Sequence, residues 1–334
     1  MSSRWDEISP LSDRTGRQHS YLRVSVTDRC NQRCTYCMPK QGVPAKSHDE
    51  ILRFEETLQL VELFVELGVR RVRITGGEPL VRRGAMEFIS ALGKLSQLEE
   101  ISLTTNGTLL AARAQALADS GLHRVNVSLD SLRPDRYERI TRGGDLADAI
   151  AGVQAARAAG LTPVKLNTVV LPDLQPDEAR EIILWCNAAP RDFIPRFIEC
   201  MPFQDIAAAG TALTDLQKAL QRQFALVPDE QVSGDGPAQY WRVAETGLRV
   251  GFIAPLTQHF CARCNRLRLT SDGRLVTCLG HRDGISLRDL LRGGASRDEL
   301  VNAIRRTILD KPRGHACAMD NDELFPNSMS EMGG

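Results

Sequence analysis

The 334-residue chain carries 42 basic and 42 acidic side chains, with 42% hydrophobic and 5% aromatic residues. At roughly 150 residues per domain, this length fits two domains or one α/β barrel with an appendage. The zero net charge argues against a general nucleic-acid binder, which needs a basic surplus to neutralise phosphates. The amino-terminal residues lack a signal-peptide pattern, and no apolar run approaches the ~18 residues of a membrane span. We therefore expect a soluble, cytoplasmic protein.

The first 200 residues alternate short β-branched runs with longer helical patterns. Strands are predicted at 21–27, 69–75, 100–105, 124–130, 163–170 and 193–200. Strands that alternate with helices imply a parallel sheet with right-handed crossovers. Because eight such units close a TIM barrel and this chain has six, we predict an α/β fold, a partial (βα)6 TIM-like barrel.

The composition changes near residue 205, where a helical segment and a polar Gly/Pro loop precede four further strand patterns. We predict that the barrel covers residues 15–204 and that a smaller C-terminal α+β region covers 205–310. The polar segment 311–334 is predicted to be a mobile tail.

The nine cysteines are clustered rather than scattered. They form two groups of three and three isolated residues: Cys30, Cys34 and Cys37; Cys261, Cys264 and Cys278; and Cys186, Cys200 and Cys317. An odd count in a reducing compartment disfavours disulfides and favours metal or redox chemistry. The isolated cysteines are interpreted as free thiols without a chemical role.

The first triad follows the first predicted strand, so it lies at the carboxyl end of the sheet, where α/β barrels bind their ligands. A cuboidal iron-sulfur cluster usually takes four thiolates, so three thiolates leave one iron open for a reacting molecule. The alternative at this point is a zinc ion with a histidine, for example His48, as the fourth ligand.

The segment CNQRCTYC matches the CxxxCxxC signature of radical S-adenosylmethionine enzymes, including the aromatic residue before the last cysteine. The resemblance implies that S-adenosylmethionine chelates the open iron and is cleaved by electron transfer to methionine and a 5'-deoxyadenosyl radical. Further motifs, GGEP at 76–79, TTNG at 104–107 and SLD at 128–130, resemble the cofactor-binding elements of that superfamily. The implied cofactor-binding residues are Tyr36, Gly77, Ser128 and Met201.

The second triad again offers three thiols, Cys261, Cys264 and Cys278. It predicts either a second cluster with an open iron or a zinc site completed by His259 or His281. Between these cysteines, Arg266 and Arg268 share one face of a predicted strand, because side chains alternate with period two. Two adjacent guanidiniums suit an oxygen-rich anion such as a polyphosphate, although a solvated charged face is the simpler alternative.

The whole chain from about residue 15 resembles the molybdenum cofactor biosynthesis protein A family of GTP 3',8-cyclases. The resemblance is carried by SVTDRCNQRCTYCMP, RITGGEPLVRR, LTTNGTLL, NVSLD, RFIECMP, FCARCNRLRL and the final Gly333 and Gly334. It implies conversion of GTP to (8S)-3',8-cyclo-7,8-dihydroguanosine 5'-triphosphate, the first step of molybdopterin synthesis. The cofactors would be S-adenosylmethionine and two 4Fe-4S clusters, one that makes the radical and one that binds guanine.

The resemblance also implies which residues contact GTP: Arg23, Arg73, Thr104, Lys165, Arg266, Leu267 and Arg268. Cations from several strands agree with the absence of a GxxxxGK[ST] phosphate loop from the sequence. In the family, the terminal Gly-Gly pair reaches into the active site and assists catalysis, so Gly333 and Gly334 are candidate catalytic residues.

The expected partners are GTP, a reductant of unknown identity, the downstream cyclic pyranopterin monophosphate synthase and a second copy of the chain in a homodimer. No nucleic-acid or membrane partner is expected. Two other functions stay open at this point: a peptide-modifying radical enzyme with an auxiliary cluster, and a non-catalytic scaffold stabilised by zinc.

Overall fold

The computed structural model describes residues 10–44, 46–201, 213–229, 236–281, 284–314 and 329–332. Twelve strands lie in these ranges: β1 (Tyr21–Ser25), β2 (Arg71–Thr75), β3 (Glu100–Thr105), β4 (Arg124–Ser128), β5 (Val164–Val170), β6 (Phe193–Glu199), β7 (Leu226–Pro228), β8 (Gln239–Val243), β9 (Arg249–Ile253), β10 (Arg266–Leu269), β11 (Arg274–Val276) and β12 (Gly284–Ser286). The same ranges contain ten α-helices: α1 (Phe54–Glu66), α2 (Ala85–Gly93), α3 (Ala114–Asp119), α4 (Pro134–Thr141), α5 (Leu146–Ala158), α6 (Pro176–Asn187), α7 (Leu213–Gln223), α8 (Leu287–Arg292), α9 (Arg297–Leu309) and α10 (Met329–Met332).

The described strands form one sheet in the order β12-β11-β10-β1-β2-β3-β4-β5-β6-β9-β8-β7. The eight adjacent strands from β10 to β9 in this order pair in parallel. The outer strands β11 and β12 on one side, and β8 and β7 on the other, pair antiparallel. Strands β1 to β6 follow one another in chain order with helices between them. The predicted α/β fold, a partial barrel of six βα units, is confirmed.

The C-terminal strand patterns extend both edges of the barrel sheet. Strand β10 pairs with β1, with Tyr21 opposite Arg266, and β9 pairs with β6, with Phe197 opposite Phe252. These pairings join segments far apart in the chain, which periodicity within a short window does not reveal. The domain boundaries at 204 and 310 stay predictions, and the linker at 202–212 lies outside the described residues.

The alternation of side chains along β1 shows how the sheet separates core from cavity. Leu22 and Val24 are fully buried in the hydrophobic core, whose helical side includes Leu60 and Phe64 of α1. Arg23, between the two apolar residues, points to the opposite face and lines a cavity. The apolar positions therefore hold the sheet against its helices, while the intervening positions are free to carry chemistry.

Helix α9 has a sharply defined start. Ser296 accepts a hydrogen bond from the backbone of Glu299, and the Glu299 carboxylate accepts one from the Ser296 backbone at 2.7 Å. This reciprocal capping satisfies two amide groups that the helix leaves without partners. Its buried residues Leu300, Ile304 and Ile308 anchor α9 in the core. In the described ranges, no helix is both long enough and apolar enough to cross a membrane.

Candidate functional site

A cavity of about 270 Å³ lies on the inner face of the sheet. Its walls include the thiol-bearing residues Cys30, Cys34 and Cys37 and side chains from β1 to β6, β9 and β10. The first cysteine triad and the charged residues of the strands therefore face one common space.

The loop that carries the first triad is paired with the GGEP segment. The backbone amides of Gly77 and Glu78 donate hydrogen bonds to the carbonyls of Thr27 and Arg29, both at 2.8 Å. A Cβ atom on Gly77 would lie 2.3 Å from the Arg29 carbonyl oxygen. Gly77 is thus required by the close approach of two protein backbones, in addition to lining the cavity.

Two further contacts hold the cysteine loop from the other side. The Tyr36 hydroxyl donates to Asp130 Oδ2 at 2.8 Å, and the Val169 amide donates to Asp130 Oδ1 at 2.9 Å. Asn106 Nδ2 donates to Asn31 Oδ1 at 2.8 Å. The ends of β3, β4 and β5 therefore all contribute to the position of the loop.

Glu78 connects the GGEP segment to the TTNG segment. Its side chain is fully buried and accepts hydrogen bonds from the Thr105 hydroxyl at 2.9 Å and the Asn106 amide at 2.7 Å. Burial raises the pKa of Glu78, and these donors oppose that rise. The carboxylate acts as a rigid connection between two loops of the cavity mouth.

The three thiols of the first loop lie close enough to affect one another. Burial, followed by the neighbouring Cys30, raises the pKa of Cys37 to about 12. Burial raises the pKa of Cys34 strongly, with added contributions from Asp130, Cys37 and Cys30. Three half-buried thiols whose ionised forms would repel one another fit a cationic iron-sulfur centre, which would allow all three to ionise.

The remaining predicted cofactor-binding residues differ in position. Ser128 ends β4 and lines the cavity beside Tyr36 and Gly77. Met201 is half-buried and does not line the cavity; it packs in a small apolar group with Leu256, Leu279 and Met329. Met329, a member of the same apolar group, does line the cavity.

The second triad surrounds the start of β10. Cys261 begins a single 3-10 turn that ends at Arg263, Cys264 follows it, and Cys278 lies two residues after β11. Burial alone would raise the pKa of Cys264, but the charges of Lys311 and Arg266 lower it below its usual value. Burial raises the pKa of Cys278. The site therefore combines three half-buried thiols with fixed positive charge.

The zinc alternatives gain no support from the described part of the chain. There, no three His, Cys, Asp or Glu side chains are close enough to hold a single metal ion. His48 is exposed, whereas His259 Nδ1 and His281 Nε2 lie at hydrogen-bond distance from the carbonyls of Pro255 and Gly314.

Positive charge dominates the wall of the cavity. The basic lining residues are Arg23, Arg71, Arg73, Arg124, Lys165, Arg196, Arg266 and Arg268. Among the described lining residues, Glu100 is the one carboxylate, and it is paired with Arg124 at 2.5 Å. A group of buried and half-buried basic side chains with so little counter-charge fits a polyanionic ligand.

Burial, with a smaller contribution from mutual repulsion, lowers the pKa values of these basic groups. Burial, together with Arg196, Arg124 and Arg73, lowers the pKa of Lys165 to about 6. Burial and the neighbouring Arg266 lower the pKa of Arg268 to about 10. An anion bound among them would raise both values by favouring the charged forms.

The predicted substrate contacts are mostly brought together, with one exception. Arg23, Arg73, Thr104, Lys165, Arg266 and Arg268 all line the cavity. The Thr104 hydroxyl is buried and has no hydrogen-bond partner among the described residues, as expected for a group that binds a ligand. The Leu267 side chain, in contrast, is fully buried in the hydrophobic core, because it alternates with Arg266 and Arg268. Only the backbone of Leu267, and not its side chain, could therefore make the predicted contact with the substrate.

Three cations of the wall, Arg71, Arg124 and Arg196, were missed by the sequence analysis. A simple signal marks Arg71 and Arg124. Each lies an even number of residues from a predicted site residue on its own strand, namely Arg73 and Ser128, and so shares its face. Arg196 is held by Asn167 at 2.9 Å and Asn126 at 2.8 Å, contacts that only the folded sheet creates.

The predicted tail is described only in part. Gly333 and Gly334 lie outside the described residues, as does Cys317. The short helix α10 ends beside the cavity, where Arg268 donates a hydrogen bond to the carbonyl of Met332 at 3.2 Å. Of the other isolated cysteines, Cys186 is buried in the core and Cys200 is half-buried.

The partial barrel with a three-cysteine loop at its mouth defines a radical S-adenosylmethionine protein. The sequence model of the Radical SAM superfamily matches residues 24–186, and the one described as Molybdenum Cofactor Synthesis C matches residues 194–317. The crystal structure of Streptococcus suis SuiB bound to S-adenosylmethionine shares the fold with a TM-score of 0.62. That likeness covers 89% of this chain and 73% of SuiB at 15% identity.

Full-length relatives give the narrower assignment. GTP 3',8-cyclase of Moorella thermoacetica is 44% identical over 327 residues, which cover 97% of this chain and 100% of the relative. GTP 3',8-cyclase of Paracoccus denitrificans is 47% identical over 319 residues, 93% of this chain and 91% of the relative. The chain belongs to the GTP 3',8-cyclase family.

Proposed function

We propose that this protein converts GTP to (8S)-3',8-cyclo-7,8-dihydroguanosine 5'-triphosphate, the first step of molybdenum cofactor biosynthesis. The observation that carries the proposal is the shared cavity. Its wall joins the three thiols of the first triad to Arg266 and Arg268, which lie between the cysteines of the second triad. The names of the full-length relatives support the same reaction.

The cofactors are two 4Fe-4S clusters and S-adenosylmethionine. We propose that Cys30, Cys34 and Cys37 hold the first cluster and that Cys261, Cys264 and Cys278 hold the second. Donor chemistry supports this, because soft thiolates select iron-sulfur clusters and three of them leave one iron open. When bound, the first cluster and S-adenosylmethionine supply a 5'-deoxyadenosyl radical that removes the 3' hydrogen of the GTP ribose.

The residues around the cavity mouth are proposed to orient S-adenosylmethionine. Tyr36, Gly77 and Ser128 line the cavity next to the first triad. Backbone hydrogen bonds from Gly77 and Glu78 keep the cysteine loop in place beside this site. Met201 is proposed to support this wall through the apolar group that it shares with Met329.

The cations are proposed to hold the triphosphate and to keep GTP fixed relative to the radical. Arg23, Arg73, Lys165, Arg266 and Arg268 surround one space, so a chain of three phosphates can be neutralised from several sides. The buried Thr104 hydroxyl is proposed to hydrogen-bond the nucleotide. Fixed orientation of this kind reduces the entropy lost on the way to the transition state, so the ribose carbon can reach guanine C8.

The remaining parts of the proposal concern partners and location. We propose that a one-electron reductant serves the first cluster, that the product passes to cyclic pyranopterin monophosphate synthase, and that the chain acts as a homodimer. A reducing compartment such as the cytoplasm is supported by the eight described cysteines, none of which forms a disulfide.

The test is anaerobic reconstitution followed by incubation with GTP, S-adenosylmethionine and dithionite. About eight irons and eight sulfides per chain are expected for two four-iron clusters. With GTP deuterated at the ribose 3' position, we expect deuterium in 5'-deoxyadenosine and formation of the cyclised nucleotide. ATP and a variant with Cys30, Cys34 and Cys37 replaced by Ala serve as controls. Zinc without iron, or no cyclised nucleotide from a protein with both clusters loaded, overturns the proposal.

A further inference from the structure

Lys311 lies buried beside the second cysteine triad. It follows α9, is only 5% exposed, and donates a hydrogen bond from Nζ to the carbonyl of Arg266 at 2.5 Å. The same Nζ lies 3.8 Å from the Sγ atom of Cys264, in hydrogen-bond geometry for sulfur. One ammonium group thus contacts both a thiol of the triad and the first residue of β10.

The backbone around Lys311 is fixed by Arg17. The guanidinium of Arg17 donates to the carbonyl of Pro312 at 2.7 Å and to the carbonyl of Cys261 at 2.7 Å. Asp13 in turn accepts a hydrogen bond from Arg17 Nε at 2.6 Å. The Arg17 side chain therefore connects the residue after Lys311 to the first cysteine of the triad. These hydrogen bonds fix the backbone on both sides of the contact between Lys311 and Cys264.

Few groups near Lys311 can offset its buried positive charge, and the Cys264 sulfur is one of them. Asp13 is occupied by Arg17 and by His19 at 3.0 Å, and in the part of the chain that the structure describes its ion pairs do not include Lys311. A buried ammonium needs an anion or several acceptors to offset the loss of hydration. Among the described residues, Nζ contacts a carbonyl and a cysteine sulfur, so a cluster bound through that sulfur would supply the counter-charge.

We propose that Lys311 is a positioning residue that raises the reduction potential of the iron-sulfur cluster held by Cys261, Cys264 and Cys278. The inference rests on the proposed function only in requiring a cluster at that triad. A positive charge and a hydrogen bond at a ligand sulfur stabilise the reduced cluster, which carries one more negative charge. The contact with the Arg266 carbonyl also fixes the strand that presents Arg266 and Arg268 relative to that sulfur.

The test is a redox titration of the reconstituted full-length enzyme, followed by electron paramagnetic resonance. The component whose spectrum does not respond to S-adenosylmethionine is assigned to the second triad, so the readout needs neither GTP nor turnover. Lys311→Met is compared with Lys311→Arg, which keeps the charge. Lys46→Met is the control, because Lys46 is a half-buried lysine that pairs with Asp272 at 2.8 Å and contacts no cysteine among the described residues.

For Lys311→Met, we expect the ratio of reduced to oxidised second cluster at the wild-type midpoint potential to fall at least tenfold. For a one-electron couple, this corresponds to a midpoint potential lowered by ~59 mV. Lys311→Arg and Lys46→Met should remain near wild type. If Lys311→Met does not retain the cluster, Lys311→Gln, which is neutral but polar, is titrated in its place and the same shift is required. An unchanged midpoint in the neutral variant overturns the inference. A wild-type protein with only about four irons per chain overturns the second-cluster assignment instead.

Discussion

The hydroxyl of Tyr36 and the carboxylate of Asp130 form a 2.8 Å hydrogen bond that ties the cysteine loop to the end of β4. Asp130 is buried, Tyr36 is half-buried and lines the cavity at the proposed S-adenosylmethionine site, and the Asp130 carboxylate also accepts a hydrogen bond from the Val169 amide. Burial raises the pKa of Asp130 to about 6, and the two donors oppose that rise. The bond joins a ligand-bearing loop to the rigid part of the sheet.

Tyr36→Phe should loosen this loop without leaving a large cavity. Loss of a hydrogen bond to a charged group costs about 2 kcal/mol, which for a protein of this size lowers Tm by several degrees. Tyr137→Phe, which removes a neutral 3.2 Å bond to Gln32 of the same loop, should cost about half as much. Anaerobic thermal unfolding and the rate of 5'-deoxyadenosine formation measure the effect. Equal values for Tyr36→Phe and wild type in both assays contradict the proposed support.

The binding of GTP should take up a proton at Lys165. Burial and three arginines lower its pKa to about 6, so the free enzyme holds a neutral amine at higher pH. A bound triphosphate raises that pKa, and the dissociation constant should therefore increase by up to tenfold per pH unit between pH 7 and 9. Calorimetry in buffers of different ionisation enthalpy should show close to one proton taken up per GTP at pH 8.

Lys165→Arg provides the control for this prediction. Arginine stays protonated throughout the range, so the variant should show a flat pH dependence of GTP affinity. The same slope in Lys165→Arg and wild type would assign the proton to another group.

Gly77→Ala should prevent correct assembly of the first cluster. The added Cβ would meet the Arg29 carbonyl at 2.3 Å, and a backbone atom cannot yield without movement of the cysteine loop. We expect iron to fall from about eight to about four per chain and S-adenosylmethionine affinity to fall at least tenfold. Gly314→Ala is the matched control, because a Cβ there meets nothing within 4 Å. Full iron loading of Gly77→Ala would show that the loop adapts.

Deletion of Gly333 and Gly334 should abolish cyclisation while both clusters remain. The preceding helix α10 already reaches the cavity, with Met329 in its wall and the Met332 carbonyl bonded to Arg268. Residues without side chains suit insertion into a narrow space. Product analysis and iron content are measured together, and full activity of the deletion variant would remove the tail from the mechanism. Replacement of both glycines by alanine tests whether small size is the requirement.

The sequence predicts the central sheet well because its six βα units are local. The strand predicted at 100–105 coincides with β3, and the others differ by a few residues at their ends. The alternation of side chains along a strand also predicts that Arg266 and Arg268 share one face, and both line the cavity. The two edge pairings, the bond of Arg196 to Asn126 and the contact of Lys311 with Cys264 need tertiary proximity, which no short pattern encodes.

The pairing of Tyr21 with Arg266 has a consequence for biosynthesis. Strand β1 emerges early from the ribosome, but its neighbour β10 is synthesised only after most of the chain. Strand β9, which pairs with β6 at the other edge of the six-stranded sheet, is synthesised at almost the same time as β10. Until then both edges of the nascent six-stranded sheet expose unpaired backbone groups, which favour association with other chains. Because β9 and β10 belong to the region that bears the second triad, completion of the edges and assembly of that site are one late event. A chain truncated before residue 249 would therefore lose solubility as well as activity, and a chaperone that shields strand edges would act during that interval of synthesis.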